Sequence, residues 1–454
     1  MSGKLIDTAA LSGFLELLPE EQLEFDRIKS IIEETYRSFG FIPLDTPLIE
    51  RSEALFAKAG GETEKQIYFV NKGKDDLTSM ALRFDLTVPL ARYVANHFND
   101  LSFPFRRYHI SRVYRGERPQ RGRFREFYQC DIDVIGRDTL SVKYDAEVPS
   151  IIYQLFKKLN FGAFTIRINN RKVLNGLLQS FGMVDKAADI LRTIDKIEKF
   201  ENRDDFISSL AEIGLGKDLI DKTISFISIK GSVNNVLSAL RNLGVNNPLF
   251  EEGVSDLETV TKIMAENGVD ESYFMIDLSI ARGLDYYTGT VYETRFNDYP
   301  ELGSICSGGR YDDLASHYTK QKLPGVGISI GLTRLFSKLR EIGAITCTQK
   351  TSADAIVVPL SENNLTTAMK LANKLRDDGF SVDVLLEDLK VKQKFQYVDK
   401  KNAEFAVVIG DDEEASQTAV LQYKEEDSFV KENVSFSELT RRIQDVRQQV
   451  RKEV

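Results

Sequence analysis

The sequence predicts a mixed α/β (α+β) protein: an antiparallel β-sheet core carrying a helical insertion, then a separate C-terminal α/β unit with a mixed sheet. Three observations carry this. Two β-rich runs, Tyr108 to Arg115 and Phe124 to Val134, flank a loop where Pro119 and Gly122 supply turn chemistry, which reads as a long antiparallel hairpin. From about Val173 to Val260 the texture becomes helical, rich in Lys, Asp and Glu and broken at Gly182, Gly214, Gly216 and Gly244. Beyond a Thr- and Ser-bearing linker, ADAIVVPL, SVDVLL and FAVVIG read as buried strands separated by helical stretches, Asn363 to Asp377 and Val391 to Lys401.

Length and composition bound the rest. A chain of 454 residues, 42% hydrophobic and 28% charged, has the make-up of an ordinary globular protein with two to four domains. Its formal net charge of −9 argues against indiscriminate coating of nucleic acid, so a polyanionic partner must meet local basic patches. Cys130, Cys306 and Cys347 are widely spaced and odd in number, which suits a reducing compartment; with His97, His109 and His317 also scattered, no metal site is expected. No apolar run reaches the ~20 residues of a membrane helix. The N-terminal stretch lacks a basic region followed by an apolar core, so the cytoplasm is the expected location.

In chain order, Pro19 opens a helical pattern with apolar residues at Leu23, Ile28, Ile31, Ile32, Tyr36 and Phe39, and Gly40 stops it. The β-prone run FGFIPLDTPLIE follows. Its Pro47 cannot donate to a ladder, so this strand belongs at an edge or against another chain. In ALRFDLTVPLARYVANH, Thr87 reads as a helix cap with Pro89 in the first turn.

The hairpin is the most informative stretch. From Phe105 to Arg125 it holds eight arginines (106, 107, 112, 115, 118, 121, 123 and 125) against one acid, Glu117. Strand alternation puts Phe124, Tyr128, Cys130, Ile132 and Val134 on a core side and Arg123, Arg125, Phe127, Gln129, Asp131 and Asp133 on the other. That second row is either a solvated face or the floor of a site. Arginine binds phosphate through a rigid fork and stacks on planar rings, Phe127 offers a ring to a base, and Gln129 and Asp133 suit a small cation. A nucleotide beside an amino acid fits this mixture.

YRGERPQRGRFREFYQCDID resembles motif 2 of the class II aminoacyl-tRNA synthetases, and in detail that of the histidyl-tRNA synthetase family. ARGLDYYTGTVYE resembles a signature specific to that family, and LPGVGISIGLTRLFSKLREIG resembles motif 3. The run around Pro47 is similar to motif 1, which implies a homodimer interface. The resemblance spans nearly the whole chain. It implies a catalytic core at 1–172 and 261–344, an insertion at 173–260 near the tRNA acceptor stem, a linker at 345–353 and an anticodon-binding domain at 354–454, where Lys390, Lys392, Lys394, Lys400 and Lys401 form a basic segment.

The resemblance further implies that L-histidine is activated by ATP with Mg²⁺ and transferred to the histidine tRNA. Residue by residue, Arg115 and Arg282 are the catalytic residues and fall on the α-phosphate and against the bound histidine, Arg123 and Arg334 on the outer phosphates, Glu117 on the adenine amino group and Phe127 beneath the ring. Asp85, Thr87 and Gln129 fall on the α-ammonium. Asp133, Tyr287, Tyr286, Gly308 and Tyr311 fall in the histidine pocket, and Gln120 near the extra 5′ guanosine of the tRNA. No residue stands out as a general base for the transfer step. Two competing readings are a histidine-binding regulatory paralogue and another class II synthetase of the glycyl, threonyl or prolyl kind. The retained nucleotide arginines and C-terminal unit argue against the first, and ARGLDYYTGTVYE against the second.

Overall fold

The structure, a computed structural model, describes residues 6–56, 65–71, 73, 79–118, 122–280, 287–425 and 428–453. The chain divides into one unit of residues 1–16 and 28–345 and another of 17–27 and 346–454; the helices of the expected insertion fall within the first. The helix Pro19–Ser38 begins on its proline, with Glu20 and Glu21 in the first turn where the positive end of the helix dipole favours them. Ile28, Ile32 and Tyr36, spaced four apart, are buried.

The first unit is built on a sheet whose strands follow in chain order. β1 (Ile42–Pro43) is short, β2 (Ile49–Arg51) and β3 (Met80–Leu82) pair with each other outside the large sheet, and β4 (Phe105–Tyr114) and β5 (Glu126–Ile135) are the arms of the expected hairpin. They are paired without a break from Phe105 opposite Ile135 to Tyr114 opposite Glu126. β6 (Phe164–Asn170), β7 (Phe274–Ile276), β8 (Thr290–Phe296), β9 (Cys306–Tyr311) and β10 (Gly325–Gly331) complete the order β1-β4-β5-β10-β9-β8-β6-β7. Every neighbouring pair is antiparallel except β1 with β4 and β6 with β7 at the two edges. The run supplies the edge strand β1, but the proline on it is Pro43; Pro47, expected on that strand, lies between β1 and β2, and Ile42, Leu48 and Ile49 are exposed.

Cys130, Ile132 and Val134 are fully buried, as alternation requires. Gln129, Asp131 and Asp133 on the opposite face are buried as well, which removes the solvated alternative for this part of the row. The reason is position: β5 lies between β4 and β10 inside the sheet, and polar side chains on both neighbours crowd its second face.

A buried ion pair locks this sheet to the helix Lys143–Leu159. Arg310 on β9 donates through Nε and Nη2 to Asp145, at 3.0 and 2.6 Å, and the same carboxylate accepts from Thr290 Oγ1 at 2.7 Å. Tyr292 adds a bond from its hydroxyl to the Asp145 carbonyl at 2.6 Å. Gly176 lies against the backbone of Phe250 and Gly253 against Val173, so helices Arg171–Ser180 and Pro248–Glu266 touch where a Cβ would not fit.

The second unit has a sheet in the order β12-β11-β13-β14-β15: β11 (Ala355–Pro359), β12 (Val382–Val384), β13 (Phe405–Ile409), β14 (Thr418–Glu425) and β15 (Ser428–Ser435). The first three run parallel and the last two antiparallel, giving a mixed sheet. β15 was not expected, because SFVKENVS is short of apolar residues and lies at an edge that needs few. Ser435 ends this strand and donates to Glu438 at 3.0 Å, so the expected capping pair sits just ahead of the helix Leu439–Glu453. Lys394 is buried and donates to the Pro359 carbonyl at 2.8 Å, which takes it out of the expected basic face. Asp145→Ala, which strands Arg310 in the interior, is expected to cost about 3–5 kcal/mol of stability, read as a lower midpoint in chemical denaturation of the whole chain.

Candidate active site

The hairpin loop, the start of the helix Thr87–Asn96, β9 and the helix Leu332–Glu341 enclose a cavity of about 410 Å³. Arg115, Glu117, Arg123, Phe124 and Phe127 line it from the hairpin, Arg334 and Lys338 from the helix, and Asp85, Thr87 and Gln129 from its inner end. Arg115 is held as a fixed plane: its guanidinium lies 5.0 Å from the Phe127 ring centre and 4.4 Å from that of Phe84, and Nε donates to the Phe84 carbonyl at 3.3 Å. Arg123 meets Glu117 at 3.4 Å, and Arg334 donates to the Leu302 carbonyl at 2.9 Å. Lys338, one turn beyond Arg334, projects from the same helical face and pairs with Glu341 at 3.4 Å.

Charge on the hairpin is thus distributed more finely than its sequence suggests. Of the eight arginines, Arg115 and Arg123 line the cavity. Arg106 is forked onto Glu147 at 2.8 Å, Arg107 is buried against Asp133, and Arg112 lies over the Tyr128 ring, 3.6 Å from Glu126. Arg125, expected on the ligand face, donates to the carbonyls of Glu117 and Ser12 at 3.2 and 3.4 Å, and its own N–H donates to Gly13 at 2.7 Å. Phe124, expected on the core side, lines the cavity instead, because the ladder ends at Glu126 and strand alternation does not continue through the turn.

Asp85 takes the role expected of Thr87. Its Oδ1 accepts from the N–H of Val88 at 2.9 Å and so caps the helix, whereas Thr87 is the first helical residue and its side chain faces the site. Burial raises the Asp85 carboxyl above its ordinary range, opposed by that N–H and by Arg115.

A second, smaller cavity of about 20 Å³ adjoins the first and shares Thr87, Tyr287 and Ser329 with it. Asp131, Asp133, Tyr311, Gly327 and Ile328 complete its wall. Asp133 is paired with Arg107 at 2.6 Å and accepts from the Tyr311 hydroxyl at 2.7 Å. Burial pushes its carboxyl up to about 6 against the pull of Arg107. Burial likewise pushes Asp131 up to about 7, again opposed by Arg107 and reinforced by Asp133. Gln129 donates to Ser329 Oγ at 2.8 Å.

Gly308 lines neither cavity; a Cβ there would strike the backbone of Gly327, so its service is strand spacing. Gly327 is the glycine the small cavity needs, because a Cβ on it would occupy the place of the Asp133 carboxylate. Sequence reasoning did not single out Gly327, Ser329, Arg107 or Lys338. Ser329 and Arg107 have a signal in hindsight, since both belong to strands that flank β5 and stand opposite Asp131 and Asp133. Arg282, Tyr286 and Gln120 lie outside the described residues.

The family described as histidyl-tRNA synthetase matches residues 13–335. The chain belongs to the histidyl-tRNA synthetase family. A second family, described as an anticodon binding domain, matches residues 354–446. The histidine–tRNA ligase of Clostridium tetani is 56% identical over 414 residues, covering 91% of this chain and 93% of that protein. The histidine–tRNA ligase of Xanthomonas axonopodis pv. citri is 47% identical over 424 residues, 88% of each. Among solved structures, histidyl-tRNA synthetase from Nostoc sp. PCC 7120 superposes with a TM-score of 0.88 at 41% identity, over 97% of this chain and all of that one. An ATP phosphoribosyltransferase regulatory subunit/histidyl-tRNA synthetase from Bacillus halodurans C, at 0.74 and 21% identity over 90% of this chain and 99% of that one, shares the fold alone.

In this histidyl-tRNA synthetase fold the acidic cavity sets a pH dependence. Between about pH 4, where an unfolded Asp ionises, and pH 7, the native state keeps a proton on Asp131 that the unfolded chain has lost, so stability falls as pH rises through that window and is level above it. Asp131→Asn, isosteric and unable to ionise, is expected to raise the thermal midpoint of the unliganded protein at pH 8, with the gain shrinking as pH is lowered to 4.

Proposed function

We propose that this chain is a histidine–tRNA ligase that works in two steps. In the first, the carboxylate of L-histidine attacks the α-phosphorus of ATP, giving histidyl-adenylate and pyrophosphate. In the second, the terminal 3′ hydroxyl of the histidine tRNA attacks the adenylate carbonyl and AMP leaves. The observation that carries this reading is the adjacency of two unlike cavities: a hollow lined by Arg115, Arg123, Arg334 and Phe127, and beyond Thr87 a small acidic chamber. The first suits a nucleotide triphosphate, the second a cationic amino acid, and their junction is where carboxylate and phosphorus meet. In-line phosphoryl transfer needs little beyond such positioning and fixed positive charge.

In this reading Arg115 and Arg282 steady the α-phosphate, and Arg123 and Arg334 hold the outer phosphates. Phe127 stacks beneath the adenine and Glu117 reads its amino group. Asp85, Gln129 and Thr87 take the α-ammonium, while Asp133, Tyr287, Tyr286 and Tyr311 surround the imidazole. A pocket built to hydrogen-bond a ring N–H rejects apolar isosteres strongly. Among the described residues the carboxylates of the larger hollow are Asp85 and Glu117, which suits Mg²⁺ carried on the nucleotide's phosphates better than a metal caged by protein. Gln120 reads the 5′ end of the tRNA, residues 354–446 take the anticodon, and the enzyme acts in the cytoplasm. Exposed Ile42, Leu48 and Ile49 around Pro47 form an apolar edge that suits a second copy of the chain.

Label from pyrophosphate is expected to appear in ATP when histidine, and no other amino acid, is supplied. Arg115→Ala or Arg282→Ala is expected to lower that exchange at least about 10²-fold in a folded protein. Exchange driven by a different amino acid would overturn the specificity, and none at all the activity. Sedimentation is expected to report a dimer, and Leu48→Asp with Ile49→Asp a monomer.

A further inference from the structure

The amino-acid chamber contains one carboxyl more than the reading above employs. Asp131 follows Asp133 by strand alternation onto the same face of β5, is 2% exposed, and lines the small cavity. Its Oδ1 has no hydrogen-bond partner among the described residues. Ser329, across β10, bonds the carboxyl group. His109, directly opposite on β4, cannot neutralise it: burial and the guanidinium groups of Arg107 and Arg83 keep that imidazole uncharged down to about pH 3, and its Nε2 is engaged with Asp45 at 2.9 Å.

The local charge does not balance. Two guanidinium groups serve the three carboxyls: Arg115 acts on Asp85 ahead of Arg107, while Asp131 and Asp133 share Arg107, whose Nη2 is engaged with Asp133 at 2.6 Å and whose Nε and Nη1 have no hydrogen-bond partner among the described residues. A buried carboxyl left without a partner is costly unless something polar or cationic arrives to meet it. Asp133 has each oxygen already engaged, one by Arg107 and the other by Tyr311. The open acceptor on this wall is therefore Oδ1 of Asp131.

We propose that Asp131 contacts the substrate's side chain directly, as a second carboxyl that accepts from a ring N–H of the bound imidazole alongside Asp133. The inference rests on the histidine reading and deepens it, because a ring gripped by two acceptors is selected for its basicity as well as its shape. A less basic isostere of histidine is then penalised by the pair, and the penalty depends on Asp131.

The test is pyrophosphate exchange by the full-length protein with histidine and with 1,2,4-triazol-3-ylalanine, whose ring has nearly the same shape and much lower basicity. Asp131→Asn is expected to raise the half-saturating concentration of histidine about tenfold to a hundredfold, to leave that of ATP unchanged, and to shrink the preference for histidine over the analogue. Asp131→Ser, smaller and still polar, is expected to give the same pattern, so the result does not hang on one variant folding well. Wild-type values for histidine and an unchanged preference in both variants would overturn the inference, as would a parallel loss of affinity for ATP. If the unaltered protein fails to exchange with histidine at all, the underlying assignment has failed instead.

Discussion

The ion pair between Arg107 and Asp133 is the constraint on which the substrate end of the protein depends. Both side chains are withdrawn from solvent and stand opposite each other on adjacent strands, 2.6 Å apart. Removing either would leave a bare charge in the interior. The pair fixes where the Asp133 carboxylate lies, Tyr311 reaches it from β9, and Gly327 on β10 gives up its side chain to leave room for it. Three strands are therefore registered to one carboxylate, and the small chamber is what remains between them. The arginine hollow next door is built more loosely, from a loop, a helix start and a strand end, as suits a larger ligand.

Several parts of this arrangement were legible from the residues. The hairpin was readable because its two runs alternate cleanly around turn residues, and a row such as Phe127, Gln129, Asp131 and Asp133 has no reason to exist on a core strand unless a polar partner meets it. The helix Val391–Lys401 begins and ends where its pattern does. Other parts were not legible. Eight arginines in twenty-one residues look alike in a string, and only tertiary neighbours decide that Arg106 belongs to Glu147 and Arg115 to the site. Capping by Asp85 rather than Thr87 turns on where the helix starts: Thr87 is its first residue, and Asp85, two positions ahead, is the side chain that meets the Val88 N–H. Lys394 reads as one more member of a basic segment because a lysine that hydrogen-bonds a buried carbonyl is written with the same letter as one that does not.

The chamber also shows why a binding site and a stable fold pull in different directions. Asp131 and Asp133 in the chamber, and Asp85 in the neighbouring hollow, are all harder to ionise than ordinary carboxyls, with burial as the leading cause in each case. In the empty protein that is a weakness. On the proposed reading a cationic ligand relieves it, so that part of the stability withheld from the fold is returned as affinity.

The amino-terminal ribbon has a place in this scheme that its irregular form conceals. Arg125 reaches back to Ser12, and its main chain is tied to Gly13, on the far side of the loop that carries Arg123. The ribbon is thus a buttress rather than a loose end. Extra residues fused ahead of it, or a protease nick within it, would be felt in how firmly the enzyme grips its nucleotide, although none of the ribbon's described side chains borders the hollow.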